Sequence, residues 1–314
     1  RCNKIRYMGP MRPKVPRVRS VTFSPSWNCM EPIVQAKPMA VDSDKTDLLG
    51  MDLPALKQFF ADIGEKPFRA AQVMKWIHQH GVSEFADMTN LSKALREKLS
   101  QVARIRTPKI VSEQVSGDGT RKWLLEVDHH NSVEVVFIPE KSRGTLCISS
   151  QVGCALDCSF CATARQGFNR NLENWEIVAQ MWVANKALGC LPKEERVISN
   201  VVFMGMGEPL LNVTHTFPAA RILMDDNAYG LSKRRVTIST AGVVPAIDKI
   251  KAALDVSLAI SLHAPNNALR DELVPINQKY PLEVLMPALH RFVEGGHSKK
   301  HVTVEYVMLD HVND

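Results

Sequence analysis

Apolar residues recur at helical spacing three times in the first third of the chain. Leu53, Leu56, Phe59, Phe60 and Ile63 form one stripe, stopped by Gly64; Val73, Met74, Trp76 and Ile77 follow Arg69 in a second, ending near Gly81. Leu91, Leu95, Leu99 and Val102 make the third. Short helices parted by glycine and polar turns predict a small helix-hairpin-helix-like domain over residues 47–103, used for nucleic-acid contact or for packing alone. Over 104–143 the pattern turns extended. Lys122–Val127 and Ser132–Ile138, parted by the turn-prone Asp128–Asn131, predict a β-hairpin that doubles as a linker.

From 144 to 314 short strands and helices alternate. Strands are predicted at Leu146–Ser149, Val201–Met204, Arg235–Ser239, Val256–Ser261 and Val302–Met308, and helices at about 173–188, 216–225, 244–253 and 282–294. Ile177, Val178, Met181, Trp182 and Leu188 share one face of the first helix. This alternation predicts an α/β fold with a parallel sheet, and chemistry at the strands' carboxyl ends. No stretch approaches the ~20 apolar residues of a membrane helix, so no membrane partner is expected.

Charge changes the picture only once it is located. The net +6 includes seven positives and no acid within residues 1–20, and removing them leaves 32 basic against 33 acidic residues. Bulk charge therefore says little about RNA, and contacts must come from local patches such as Lys233–Arg235 or Arg165 with Arg170. Residues 1–46 read as a basic, proline-rich disordered leader or an over-extended start. Acid-poor, arginine-bearing leaders also occur as organelle import signals; otherwise a cytoplasmic location is expected.

Three of seven cysteines fall within eight residues as Cys154-x3-Cys158-x2-Cys161, directly after a predicted strand. Three thiolates at this spacing can hold three irons of a 4Fe–4S cube and leave the fourth open to an exchangeable ligand. A structural zinc site with Cys147 as fourth ligand is the alternative. One helix and one strand later comes Gly205-Met-Gly-Glu-Pro209, where Gly207 lets backbone approach a ligand and Glu208 can accept from a ligand ammonium. Ser239 ends the next strand, and Ser261, Leu262 and His263 end the one after. Each alone would pass for a core or turn residue; their shared position at strand ends joins them.

These motifs resemble the radical S-adenosylmethionine (SAM) superfamily, and within it the RNA adenine-C2 methyltransferases. The matching segments are Gly64–Arg69, Ser149–Ala155, Gln166–Leu172, Gly205–Leu211, Leu231–Thr237, Ala259–Asn266 and Glu305–Asp314, so the resemblance runs from about residue 47 to the end. It implies a (β/α)6-type barrel behind a helical domain. It also implies methylation of adenine C2 at position 2503 of 23S rRNA and position 37 of tRNA, with two SAM molecules per turnover. By the same carry-over Cys154, Cys158 and Cys161 hold the cluster, and Gly207, Glu208, Ser239 and Ser261–His263 bind SAM. Glu134 corresponds to the proton acceptor, and Cys147 to the thiol that resolves a covalent intermediate; from pattern alone Cys147 reads as a buried structural cysteine. A one-electron reductant such as flavodoxin and a monomeric state are implied too.

The family pattern continues through a sixth strand to a methyl-carrying cysteine, a role to which no cysteine here can be assigned. A partial barrel, truncated after its fifth strand, is therefore expected. It would bind a cluster without completing transfer, and its open sheet edge predicts poor solubility. A C8-specific relative, which shares the cluster and both chemical cysteines, and a non-catalytic RNA-binding fragment are the competing readings.

Overall fold

The computed structural model describes residues 45–141, 143–191, 196–294 and 301–314. The expectation of a disordered leader lies outside the described residues over 1–44, and Thr46, at its predicted end, already belongs to a strand. The described residues form one compact unit.

A two-residue parallel ladder, β1 (Thr46–Asp47) with β2 (Ala103–Arg104), brackets three helices. In α1 (Leu53–Asp62), Asp52 caps the Ala55 N–H, and Leu56, Phe59 and Phe60 are buried. α2 (Arg69–His78) buries Val73, Met74 and Ile77, and α3 (Lys93–Val102) is capped by Ser92 and buries Leu95 and Leu99. The helical periodicity is realised in all three.

The hairpin runs from β4 (Arg121–Asp128) to β5 (Asn131–Glu140), preceded by the exposed strand β3 (Lys109–Val115). It is no separate linker. β6 (Arg143–Cys147) pairs antiparallel with β5 and parallel with β9 (Asn200–Phe203), so the hairpin continues one eight-stranded sheet. Between β6 and β9 lie a small ribbon, β7 (Gln151–Gly153) with β8 (Phe168–Asn171), and α4 (Asn174–Ala187). Then follow α5 (Val213–Met224), β10 (Val236–Thr240), α6 (Val244–Ala253) and β11 (Ser257–Ser261). A short α7 (Asn267–Leu273), α8 (Leu282–Val293) and β12 (Val302–Glu305) complete the described chain. Strands β6, β9, β10, β11 and β12 are parallel and adjacent in chain order.

Two expectations change. The first strand ends at Cys147 rather than Ser149, although the Ile148 N–H still donates to the Val202 carbonyl of the neighbouring β9. α4 is buried all round from Trp175 to Asn185 rather than on one stripe. The helix touches the α1–α2 module as well as its own domain: Trp182 Nε1 donates to the Ile77 carbonyl, and the Asn174 side chain donates to the Gly50 carbonyl.

Register places the chemistry. Cys147, Val202, Thr237 and Ser257 lie in one cross-strand row. Two residues further along, Ser239 pairs Ala259, which in turn pairs Thr303; two further still, Ser261 pairs Glu305. Side chains alternate in direction along a strand, so these rows share one face, half-buried in its first row. Leu146, Val201, Val236 and Ile238, of the opposite parity, are fully buried.

Candidate active site

The β7–β8 ribbon presents the cysteine loop. Gly153 (φ +74°) turns the chain out of β7, and the Cys154 N–H donates to the Gly167 carbonyl at 3.0 Å, closing the loop's neck. The Cys161 N–H donates to the Cys158 carbonyl at 3.0 Å, and Ser159 N–H reaches the Leu273 carbonyl at 3.2 Å. Leu156 and Phe160 pack against Ala241, Ala264, Leu273 and Val274, the apolar floor that fixes the loop. Phe160 meets the His263 ring edge-on at 4.7 Å.

Cys154, Cys158 and Cys161 line one cavity of about 140 Å³ with Gly207, Glu208, Ser239, Ser261, His263 and Glu305. All three are free thiols. Burial pushes the Cys154 thiol up and Cys158 to about 12, with neighbouring thiols and Glu208 adding to the rise. Only a positively charged centre would draw thiolates here. Among the described residues, the one trio of metal-ligating atoms within 4.8 Å of one another is the exposed Asp310, His311 and Asp314. The three sulfurs are therefore not all within 4.8 Å of one another, and at least one pair stands wider than the ~3.8 Å edge of a tetrahedral zinc–thiolate site. A cube that spreads its thiolates over separate irons fits them better.

The cavity's opposite wall is polar. Glu208 is buried; its Oε2 accepts from the Ala241 N–H at 2.8 Å and its Oε1 from the Leu210 N–H at 3.0 Å. Burial pushes its carboxyl up to about 7 against the pull of these donors. An added Cβ at Gly207 would sit 2.4 Å from the Gln151 side chain, so glycine is what lets the two loops touch. Ser239 and Ser261 both donate to Glu305. His263 Nδ1 accepts from the Val307 N–H at 3.1 Å, which leaves the ring proton on Nε2, and burial lowers its pKa to about 4. Leu262 does not line the cavity; its backbone N–H donates to the Glu305 carbonyl and its carbonyl accepts from Arg270.

Two residues the sequence pattern does not reveal stand at the centre. Arg270, fully buried on α7, donates to the carbonyls of Leu262, Ala241 and Ser261 and to Asn277 Oδ1. One side chain thus ties the ends of β10 and β11 together beneath the cysteine loop. Glu305 falls inside a matched segment, but nothing in that segment shows that it faces Ser239 and Ser261.

Cys147 borders the cavity without lining it. Burial pushes its thiol to about 11; a backbone hydrogen bond from Met204 opposes the rise and Glu305 adds to it. Glu134, on the neighbouring strand β5, has the same parity through the Val136–Cys147 pair. Its carboxylate is half-exposed and bonded to Lys122 Nζ at 3.0 Å.

The basic candidates separate. Arg170 is bonded to Glu176 and Asp128 at 2.6–2.8 Å and serves as an internal clamp. Lys233–Arg235 precede β10, at the amino-terminal end of the strands and away from the cavity; Lys233 faces Asp255 at 3.4 Å and Arg235 bonds Asn200. Arg165 is exposed on the short turn that follows the cysteine loop. Cys190 is buried, clear of the cavity lining.

Comparison with known proteins fits this geometry. Residues 46–105 match the ribosomal RNA large subunit methyltransferase N-terminal domain, and residues 148–314 match the radical SAM superfamily. Proteins of two strains of Pseudomonas putida, each called dual-specificity RNA methyltransferase RlmN, are 57% identical over 277 residues, covering 88% of this chain and 73% of theirs. The crystal structure of a radical SAM methyltransferase from Sphaerobacter thermophilus superposes with a TM-score of 0.78 at 38% identity, covering 86% of this chain and 78% of that one.

Proposed function

We infer the function from one premise: the chain belongs to the family of radical SAM RNA methyltransferases that includes RlmN. It is a SAM-dependent methyltransferase whose cofactors are a 4Fe–4S cluster and SAM. We propose that it methylates C2 of adenine in 23S rRNA and tRNA, at positions 2503 and 37 respectively. The observation that carries the reading is the convergence of three free thiols, Glu208, Ser239, Ser261 and His263 on one cavity at the strands' carboxyl ends.

Adenine C2 is electron-poor and does not attack a sulfonium. A 4Fe–4S cluster held by Cys154, Cys158 and Cys161 supplies the one-electron reduction of SAM that opens a radical route to such a carbon. The chain's own residues do the rest. Glu208 and the Gly207 turn receive the amino-acid end of SAM, while Phe160 and His263 cover the loop and exclude water. Glu134 is assigned as the base that takes the C2 proton, and Cys147 as the thiol that resolves the protein–RNA link. A thiol held near 11 stays protonated, and so unreactive, until its surroundings change. The target base must leave its stack to reach this depth, and Arg165 is the assigned phosphate contact. Flavodoxin or a similar one-electron donor and a cytoplasmic setting complete the reading. Among the described residues, no helix is long and apolar enough to cross a membrane.

The test uses the complete reading frame that carries this sequence, reconstituted anaerobically and incubated with reductant, SAM, 23S rRNA fragments and tRNA. Mass spectrometry of the nucleosides is expected to show 2-methyladenosine. Recovery of 8-methyladenosine would overturn the C2 assignment, and zinc bound in place of four irons would overturn the whole reading.

A further inference from the structure

Glu305 ends β12 in register with Ser261, and its carboxylate lines the same cavity as the three cysteines. Ser239 Oγ donates to it at 3.1 and 3.3 Å, and Ser261 Oγ donates at 3.1 Å. A serine hydroxyl carries one proton. Both serines spend theirs on Glu305, so each offers only lone pairs to a ligand. The oxygens of Glu208 are acceptors too, already turned to backbone N–H groups. Among the described lining residues there is no lysine or arginine. Arg270, just outside, directs its bonds to carbonyls and Asn277. The wall facing the cysteine loop is therefore acceptor-rich and anionic, with the Nε2–H of His263 as a donor beside it.

SAM suits such a wall twice over. Its ribose hydroxyls and ammonium are donors, and its sulfonium is a cation that the thioether S-adenosylhomocysteine lacks. We propose that Glu305 is a positioning residue of the SAM pocket: it fixes Ser239 and Ser261 as acceptors and supplies the negative potential that favours the sulfonium over the neutral thioether. The proposal rests on the functional reading above and adds a residue and a basis of ligand selectivity to it.

The experiment measures equilibrium binding of SAM and S-adenosylhomocysteine to cluster-reconstituted wild-type protein, E305Q and E305D, with iron and sulfide determined on every sample. Removing the charge is expected to weaken SAM on the order of 10-fold. The thioether should lose about 3-fold or less, because only the hydroxyl orientation changes for it. E305D keeps the charge and should keep the preference for SAM, although its shorter reach lowers both affinities. Equal losses for the two ligands in E305Q would show a merely structural residue and overturn the proposal, as would unchanged binding. If E305Q does not fold, E305D decides: retained preference supports the assignment and lost preference overturns it. Wild-type protein with four irons and no affinity for SAM would refute the functional reading, and the proposal with it.

Discussion

Replacing Gly153 by alanine probes the cysteine loop at its narrowest point. The backbone there has φ +74°, and an added Cβ would lie 1.8 Å from the Gly167 carbonyl oxygen, which accepts the Cys154 N–H. Restoring a tolerable contact of about 3 Å needs a shift of roughly 1.2 Å, enough to break that bond. Left-handed backbone costs an alanine about 1 kcal/mol, and the lost hydrogen bond about 1 more. The larger effect is positional, since Cys154 follows directly and a displacement near 1 Å disables a ligand that must meet the others on one cube. Gly167 supplies strain without a clash: its φ of +72° and ψ of −178° are a glycine conformation, but nothing lies within 4 Å of its added Cβ. Gly167→Ala should cost about 1–3 kcal/mol through backbone strain alone and lower Tm, yet retain more of the cluster than Gly153→Ala. Gly153→Ala should lose most of its iron. Iron and sulfide per chain after anaerobic reconstitution, with a thermal melt, separate the two. A G153A protein with a full complement of iron and a wild-type melt would refute the reasoning.

Other outcomes follow from buried charge. His78 is buried with its Nδ1 at 3.2 Å from the Tyr229 hydroxyl, and burial lowers its pKa from 6.5 to about 3. The unfolded chain binds this proton first, so the stability His78 contributes is full above pH 6.5 and is lost as pH falls toward 3. Urea midpoints across that window should fall steeply in wild type and less in H78Q; parallel curves would refute the assignment. Arg270→Met leaves three carbonyls and Asn277 without their donor, and should cost on the order of 3–5 kcal/mol in urea unfolding; an unchanged midpoint would remove Arg270 from its tying role. Arg165→Glu should weaken RNA binding while Arg234→Glu does not, read by filter binding at fixed salt, and the reverse order would move the RNA surface to the strands' other end.

The sequence announced the cysteine loop and the strand–helix alternation because both are local. Cys154, Cys158 and Cys161 lie within eight residues, and each β-run is bounded by turns. Long-range pairing was not legible. Nothing in Lys109–Val115 says that it edges the sheet that also holds β12, and α4 looked one-sided because its second partner, the α1–α2 module, lies about a hundred residues upstream. Arg165 and Arg170 looked alike as charges near a loop, and only Glu176 and Asp128, placed by other elements, part them. Arg270 sat in a stretch too short to read as a helix, and Glu305 in a strand whose facing serines lie 44 and 66 residues away.

The common parity of Cys147, Ser239, Ser261 and Glu305 has an evolutionary corollary. A reactive group on this sheet can be exchanged by altering one codon. Adding or deleting a codon inside any of the strands would rotate everything beyond it toward the helix layer. Lineages should therefore vary freely in the spacers joining the strands while keeping each strand's residue count fixed, so that gaps in related sequences avoid the ladder and gather in the turns.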